Sequence, residues 1–197
     1  MDGRRARGEA TRERLLATAR TLFGERGYEA TSIEAVLETS GVARGALYHH
    51  FQSKAELFDA VAEEVFVAIA EETAAAARGG ADTLERLRAG SQAWLGMALD
   101  PAIQHIALLD PLTVLGWARW RELDEQYTLG GLRASFRRLA GEGRIPDGQV
   151  EMLTYMLLAA LNEAALFIAC SADQQAALDA GRAAVDTLLD RLCAPSR

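Results

Sequence analysis

The chain has 197 residues, 50% hydrophobic and 25% charged, a composition that suits a folded globular protein and excludes a disordered chain, a collagen-like repeat and a disulfide scaffold. Lys and Arg number 21 against 28 Asp and Glu, net -7, so no overall basic field draws the chain to nucleic acid and any DNA contact must come from a local surplus. Residues 1–54 hold such a surplus, nine bases against seven acids, whereas the remainder holds 12 against 21.

Apolar spacings of three and four predict helix throughout, with no competing strand signal. The opening MDGRRARGEATRER lacks an apolar run behind its charges and is not expected to act as a secretory signal; Arg4, Arg5 and Arg7 read as a solvated terminus or a groove-tracking arm. A first helix, about 9 to 26, carries the stripe Leu15, Leu16, Ala19, Leu22, Phe23 and stops at Arg26-Gly27. Thr31 to Glu34 has capping-box spacing for a short second helix, which Ser40-Gly41 ends. A third short helix carries Val42, Leu47 and Phe51 inward. Ser53 to Glu56 opens a fourth, which runs to Arg78-Gly79-Gly80.

Beyond that break the helices lengthen. Asp82 opens one, and Asp100-Pro101 and Asp110-Pro111 each end one helix and start another. Trp117 to Leu139 reads as a helix loosened at Gly130-Gly131 and stopped by Gly141, Gly143 and Pro146. Asp147 is expected to cap the apolar stretch Met152 to Cys170. That stretch is read as a buried helix rather than a membrane span, because Asn162 and Glu163 interrupt it. Asp173 caps a last, Ala-rich helix. Cys170 and Cys193 read as buried free thiols in a reducing cytosol.

The two short helices around Ser40-Gly41-Val42, with a longer helix on each side, have the proportions of a helix-turn-helix, motif about 32–51. Gly41 can take the positive φ of the sharp turn, and the outer face of the third helix offers Arg44, Gly45, Tyr48 and His49. Singly, Tyr48 and Phe51 read as core aromatics and His49-His50 as a solvated pair. Arg44 and Tyr48 share one face at i,i+4, where a guanidinium can bridge guanine acceptors and a phenol can reach a phosphate or a thymine methyl.

The run from Thr31 to Phe58, above all Gly41-Val42, Leu47-Tyr48-His49-His50-Phe51 and Lys54 with Leu57, resembles the signature of the TetR family of bacterial transcriptional regulators. The resemblance implies an all-α protein: a helix-turn-helix DNA-binding domain at 1–54, then a helical ligand-sensing and dimerisation domain at 55–197. It implies DNA contacts from Thr31, Ser32, Arg44, Gly45, Tyr48, His49 and Lys54, with Thr31, Tyr48 and Lys54 on phosphates and Arg44 reading a base. Two positions depart from the family's habit. Leu37 replaces a small residue, and Ala43 replaces a capping hydroxyl worth about 1 kcal/mol.

In the sensor half, Trp94, Met97, His105, Trp117, Trp120, Tyr127, Tyr155, Asn162, Glu163 and Phe167 are the expected ligand contacts, aromatic and sulfur groups with a few polar ones. Each aromatic also reads as plain core, and His105 also as a structural histidine. Asn162 and Glu163 admit three placements: a polar pocket, a dimer contact or the helix's solvent side. No paired-carboxylate, His/Cys metal or Gly-rich phosphate constellation stands out in the sequence, so neither an enzyme nor a cofactor is expected. The resulting expectation is a cytoplasmic repressor that binds a palindromic operator as a homodimer through its last two helices, and that an apolar or aromatic effector releases.

Overall fold

The computed structural model describes residues 2–193, with side chains from residue 6 onward, and among these the regular structure is entirely helical. The side chains of Arg4 and Arg5, expected as part of a terminal arm, lie outside the described residues. The chain packs as two compact units, Met1–Val65 with Pro101–Trp120, and Phe66–Asp100 with Arg121–Arg197.

In the first unit, α1 (Asp2–Ala30) begins well before residue 9 and leaves helical geometry at Gly27, whose φ of 76° and ψ of 172° suit glycine alone. Thr31 is buried, its hydroxyl donating to the carbonyls of Leu22 at 3.1 Å and Gly27 at 2.9 Å. It therefore ties off the end of α1, and the cap of α2 (Ile33–Ser40) is Ser32, which accepts from the Ala35 N–H at 3.1 Å. The expected box closing on Glu34 does not form, because Glu34 turns to Arg44 instead. Gly41 (φ 65°, ψ 16°) makes the left-handed turn into α3 (Arg44–His50), which Ala43 leaves without a side-chain cap. At the head of α4 (Lys54–Ala77) Ser53 Oγ accepts from the Glu56 N–H, and the Glu56 carboxylate reaches back past the cap to accept from the Gln52 N–H.

Leu15, Leu16, Phe23, Val36, Leu47, Phe51, Leu57, Phe58 and Val61 form the core of this unit, each contributing about 1.5–3 kcal/mol on burial. Onto α1 pack α6 (Pro101–Ile103) and a π-helical turn, Gln104–Leu109; α7 (Pro111–Val114) packs on that turn, and the first half of α8 (Gly116–Tyr127) belongs to the same unit. Both prolines open helices as expected, yet Asp110 does not cap one; its carboxylate accepts from the Tyr28 N–H at 2.8 Å. Gly24 is needed for this approach, since a Cβ there would come within 2.8 Å of the Ala102 Cβ.

In the second unit the later half of α4 joins α5 (Thr83–Met97), the end of α8, α9 (Leu129–Gly141), α10 (Val150–Cys170) and α11 (Gln174–Leu192). Asp82 and Asp173 cap α5 and α11 as expected. The predicted 117–139 helix is two, broken at Thr128 rather than loosened at Gly130, and Asp147 starts a short 3₁₀ turn instead of capping α10. α10 is long and apolar enough to cross a membrane, but only one face is buried, through Thr154, Leu157, Leu158, Leu161, Ala165 and Ile168. Met152, Met156 and Phe167 are exposed on the other, with Cys170, which is therefore not the buried thiol expected. Cys193 is buried, and burial raises its thiol pKa.

Candidate functional site

Two constellations carry chemistry, one in each unit. On the first, α2 and α3 are held by Val36 and Leu47, and the outward side of α3 presents Arg44, Gly45, Tyr48 and His49, all exposed. A Cβ at Gly45 would meet nothing within 4 Å, so the backbone there is open to close approach. The Arg44 guanidinium lies 2.7 Å from the Glu34 carboxylate, which holds the Arg44 pKa up and the Glu34 pKa down through the shared hydrogen bond. Tyr48 stands beside it, 44% exposed. His49 stacks edge-on against His50, ring centroids 5.3 Å apart.

Ser32 is exposed at the head of α2. Thr31 is a correction: at 1% exposure, with its hydroxyl committed to two carbonyls, it presents nothing to a phosphate. Lys54, at the head of α4, donates to the Tyr28 carbonyl at 2.9 Å and sits 3.9 Å from that ring's centroid. Its ammonium is therefore positioned by Tyr28 and keeps two N–H donors. Leu37 is accommodated half-buried.

The second constellation is a cavity of about 760 Å³ inside the second unit, walled by α4, α5, α8, α9 and α10. Phe66, Ile69, Leu87, Trp94, Leu132 and Leu161 give it an apolar lining. Trp94 Nε1 donates to the Leu161 carbonyl at 3.3 Å, which fixes the indole in the wall. Asp124, 3% exposed, also lines the cavity, and Asn162 Nδ2 donates to its Oδ2 at 3.0 Å. Loss of water raises the Asp124 pKa to about 6, with the Asn162 hydrogen bond and the Arg121 charge opposing. Arg78, Arg86 and Arg138 line the same cavity, all exposed.

Of the expected ligand contacts, the cavity gathers Trp94, Tyr127 and Asn162. The others lie elsewhere. His105 packs in the first unit against Gly27, its Nδ1 3.6 Å from Asp110 Oδ2. Trp117 is 62% exposed and tilts against Trp120, ring centroids 5.2 Å apart. Tyr155 lies under Arg121, Met97 is half-buried outside the cavity wall, and Glu163 and Phe167 occupy the exposed side of α10. Asn162 and Glu163 thus part company, one to a polar pocket and one to the surface. Sequence reasoning missed Asp124, because nothing in Leu123-Asp124-Glu125 distinguishes it from a solvated acid.

Residues 15–61 match the family described as bacterial regulatory proteins, tetR family, and residues 84–192 match the tetracyclin repressor-like C-terminal domain. The chain is 26% identical over 151 residues to the transposon Tn10 TetC protein of Escherichia coli, covering 76% of this chain and 75% of that one. To the HTH-type transcriptional repressor AcnR of Corynebacterium diphtheriae it is 43% identical over 60 residues, only 30% of this chain and 32% of that one. Its fold superposes on a crystal structure of a TetR-family transcriptional regulator from Pectobacterium atrosepticum with a TM-score of 0.86 at 36% identity, covering 98% and 99% of the two chains. With the helix-turn-helix at one end and the matched C-terminal fold at the other, the chain belongs to the TetR family of transcriptional regulators: a DNA-binding regulator and not an enzyme.

Proposed function

We propose that the protein is a cytoplasmic repressor that binds a palindromic operator as a homodimer and is released by a small effector seated in the second-unit cavity. The observation that carries this reading is the double duty of α4. Its first half, Leu57, Phe58 and Val61, is core beneath the DNA-binding helices, while Phe66, Ile69, Ala70 and Thr73 line the cavity. An effector that moves the later half acts on the helix that carries Lys54. A tenfold release requires about 1.4 kcal/mol of differential affinity between the two states.

On this reading Arg44 reads a base edge, Tyr48, Lys54 and Ser32 contact phosphates, and Gly45 and His49 flank the groove. The dimer forms through α10 and α11. Met152, Met156 and Phe167 on α10 and Ala176, Ala180, Ala184 and Leu188 on α11 are exposed small and apolar residues that a second copy would cover. Two recognition helices about 34–36 Å apart would then meet successive major-groove turns.

Selection of binding sites from random duplex DNA, at two salt concentrations and with Tyr48→Ala alongside, tests the reading. Enrichment of a palindrome, lost in the variant, supports it. A folded dimer that enriches no sequence even at low salt removes it.

A further inference from the structure

We infer that the cavity selects cationic amphiphiles: an ammonium group seated on Asp124, with an aromatic or aliphatic body against Phe66, Trp94 and Leu161. The inference rests on the reading of this cavity as an effector site and adds the charge of the ligand.

Asp124 is a carboxylate taken almost wholly out of water, and among the described residues its side-chain hydrogen-bond partner is neutral, the Asn162 amide at 3.0 Å. Loss of water on burial raises its pKa, and the Asn162 hydrogen bond and the Arg121 charge offset that only in part. The guanidinium whose charge reaches it, Arg121, is engaged elsewhere: Arg121 Nε bonds Glu125 at 3.3 Å and the group lies 4.9 Å from the centroid of the Tyr155 ring. A buried ion is tolerated when paired, so a cavity with an unpaired carboxylate favours a ligand that brings the missing charge. The surroundings fit the same chemistry. Trp94 and Tyr127 line the cavity, and an aromatic face attracts an ammonium most strongly where water is excluded.

The competing chemistry is an anion held by Arg78, Arg86 and Arg138. These three are exposed, and their attraction is screened by solvent and salt, whereas that of Asp124 is not. Arg86 also spends its Nε on the Gly80 carbonyl at 3.1 Å. The desolvated carboxylate therefore sets the preferred sign.

Titration calorimetry on the full chain with 4-phenylbutylamine, 4-phenylbutanol and 4-phenylbutyrate separates these chemistries on one skeleton. The amine is expected to bind at least about tenfold more tightly than the alcohol, with the carboxylate weakest. Asp124→Asn should lower amine affinity by about tenfold or more while leaving the alcohol within about twofold. The preference measured on the unaltered protein needs no variant, and a thermal melt establishes that Asp124→Asn is folded. Equal binding of amine and alcohol, tightest binding of the carboxylate, or no binding of any probe to a folded chain overturns the inference. Operator affinity measured on the same samples keeps the two readings apart. Amine binding that leaves DNA affinity unchanged removes the sensor role but not the charge selectivity. Release of DNA by the carboxylate alone does the opposite.

Discussion

The Arg44 guanidinium and the Glu34 carboxylate bond at 2.7 Å across the turn of the helix-turn-helix, so the side chain proposed to read a base is also partnered by an acid of its own chain. On the proposed reading, DNA competes with Glu34 for the Arg44 guanidinium. Glu34→Gln is expected to raise affinity for any duplex several-fold at low salt and less at high salt, as measured by fluorescence anisotropy. Arg44→Ala should cost about 1–3 kcal/mol against the selected operator and relax one base position, a pattern a phosphate contact would not give.

Asp124 titrates at about 6 in the folded chain against an ordinary 3.8. The folded state holds that proton more tightly than the unfolded one. The group therefore favours folding below the lower value and loses that contribution as pH rises through the upper one, a cost of about 3 kcal/mol at neutral pH. Asp124→Asn, which removes the titration, should melt above the parent near pH 7.5, by about 2–4 °C for each kcal/mol recovered. That advantage should disappear as the pH approaches 4. An unchanged gap between the two melting curves across this range would show that Asp124 is not the titrating group.

Gly27 takes a backbone conformation open to glycine alone, and a Cβ there would also meet His105 Nδ1 at 3.1 Å. Gly27→Ala should lower stability by about 1–3 kcal/mol in a urea melt. Gly24→Ala, which drives a methyl into Ala102, should cost a similar amount without any backbone strain.

Ala43 leaves α3 without a side-chain cap, although its φ of -65° and ψ of 141° suit one. Ala43→Ser should add about 1 kcal/mol. Its signature is slower amide hydrogen exchange confined to residues 44–48.

Phe167, 64% exposed on α10, lies on the surface assigned to a second copy. Phe167→Asp should shift light-scattering mass from dimer toward monomer, because a desolvated carboxylate would face its own symmetry mate. Wild-type chain that is monomeric at micromolar concentration would remove the dimer.

The local grammar of the fold was readable from residue types. Ser53 with Glu56, Asp82, Asp173 and Gly41 each satisfy a helix end through groups within four positions, and each does so in the structure. Where two residues could serve, the choice depended on packing. Thr31 and Ser32 both carry hydroxyls, and the Leu22 and Gly27 carbonyls at the end of α1 draw that of Thr31 inward. The cavity was legible only in part for the same reason. Trp94 and Asn162 stand out in an apolar context, whereas Asp124 sits among ordinary surface acids and acquires its properties from helices distant in sequence. Trp117 and Phe167 show the reverse, with bulk suggesting an interior that the fold does not give them.

The return of Pro101–Trp120 to pack with the first unit makes that unit discontinuous along the chain. Ile103 and Ile106 belong to the same packed unit as α1, and the Tyr28 amide finds its acceptor on Asp110. A reader head cut at residue 54 and grafted onto another sensor would leave this flank of α1 bare. Chimeras that carry the stretch 101–120 along with the head should express and fold where simple end-to-end fusions precipitate.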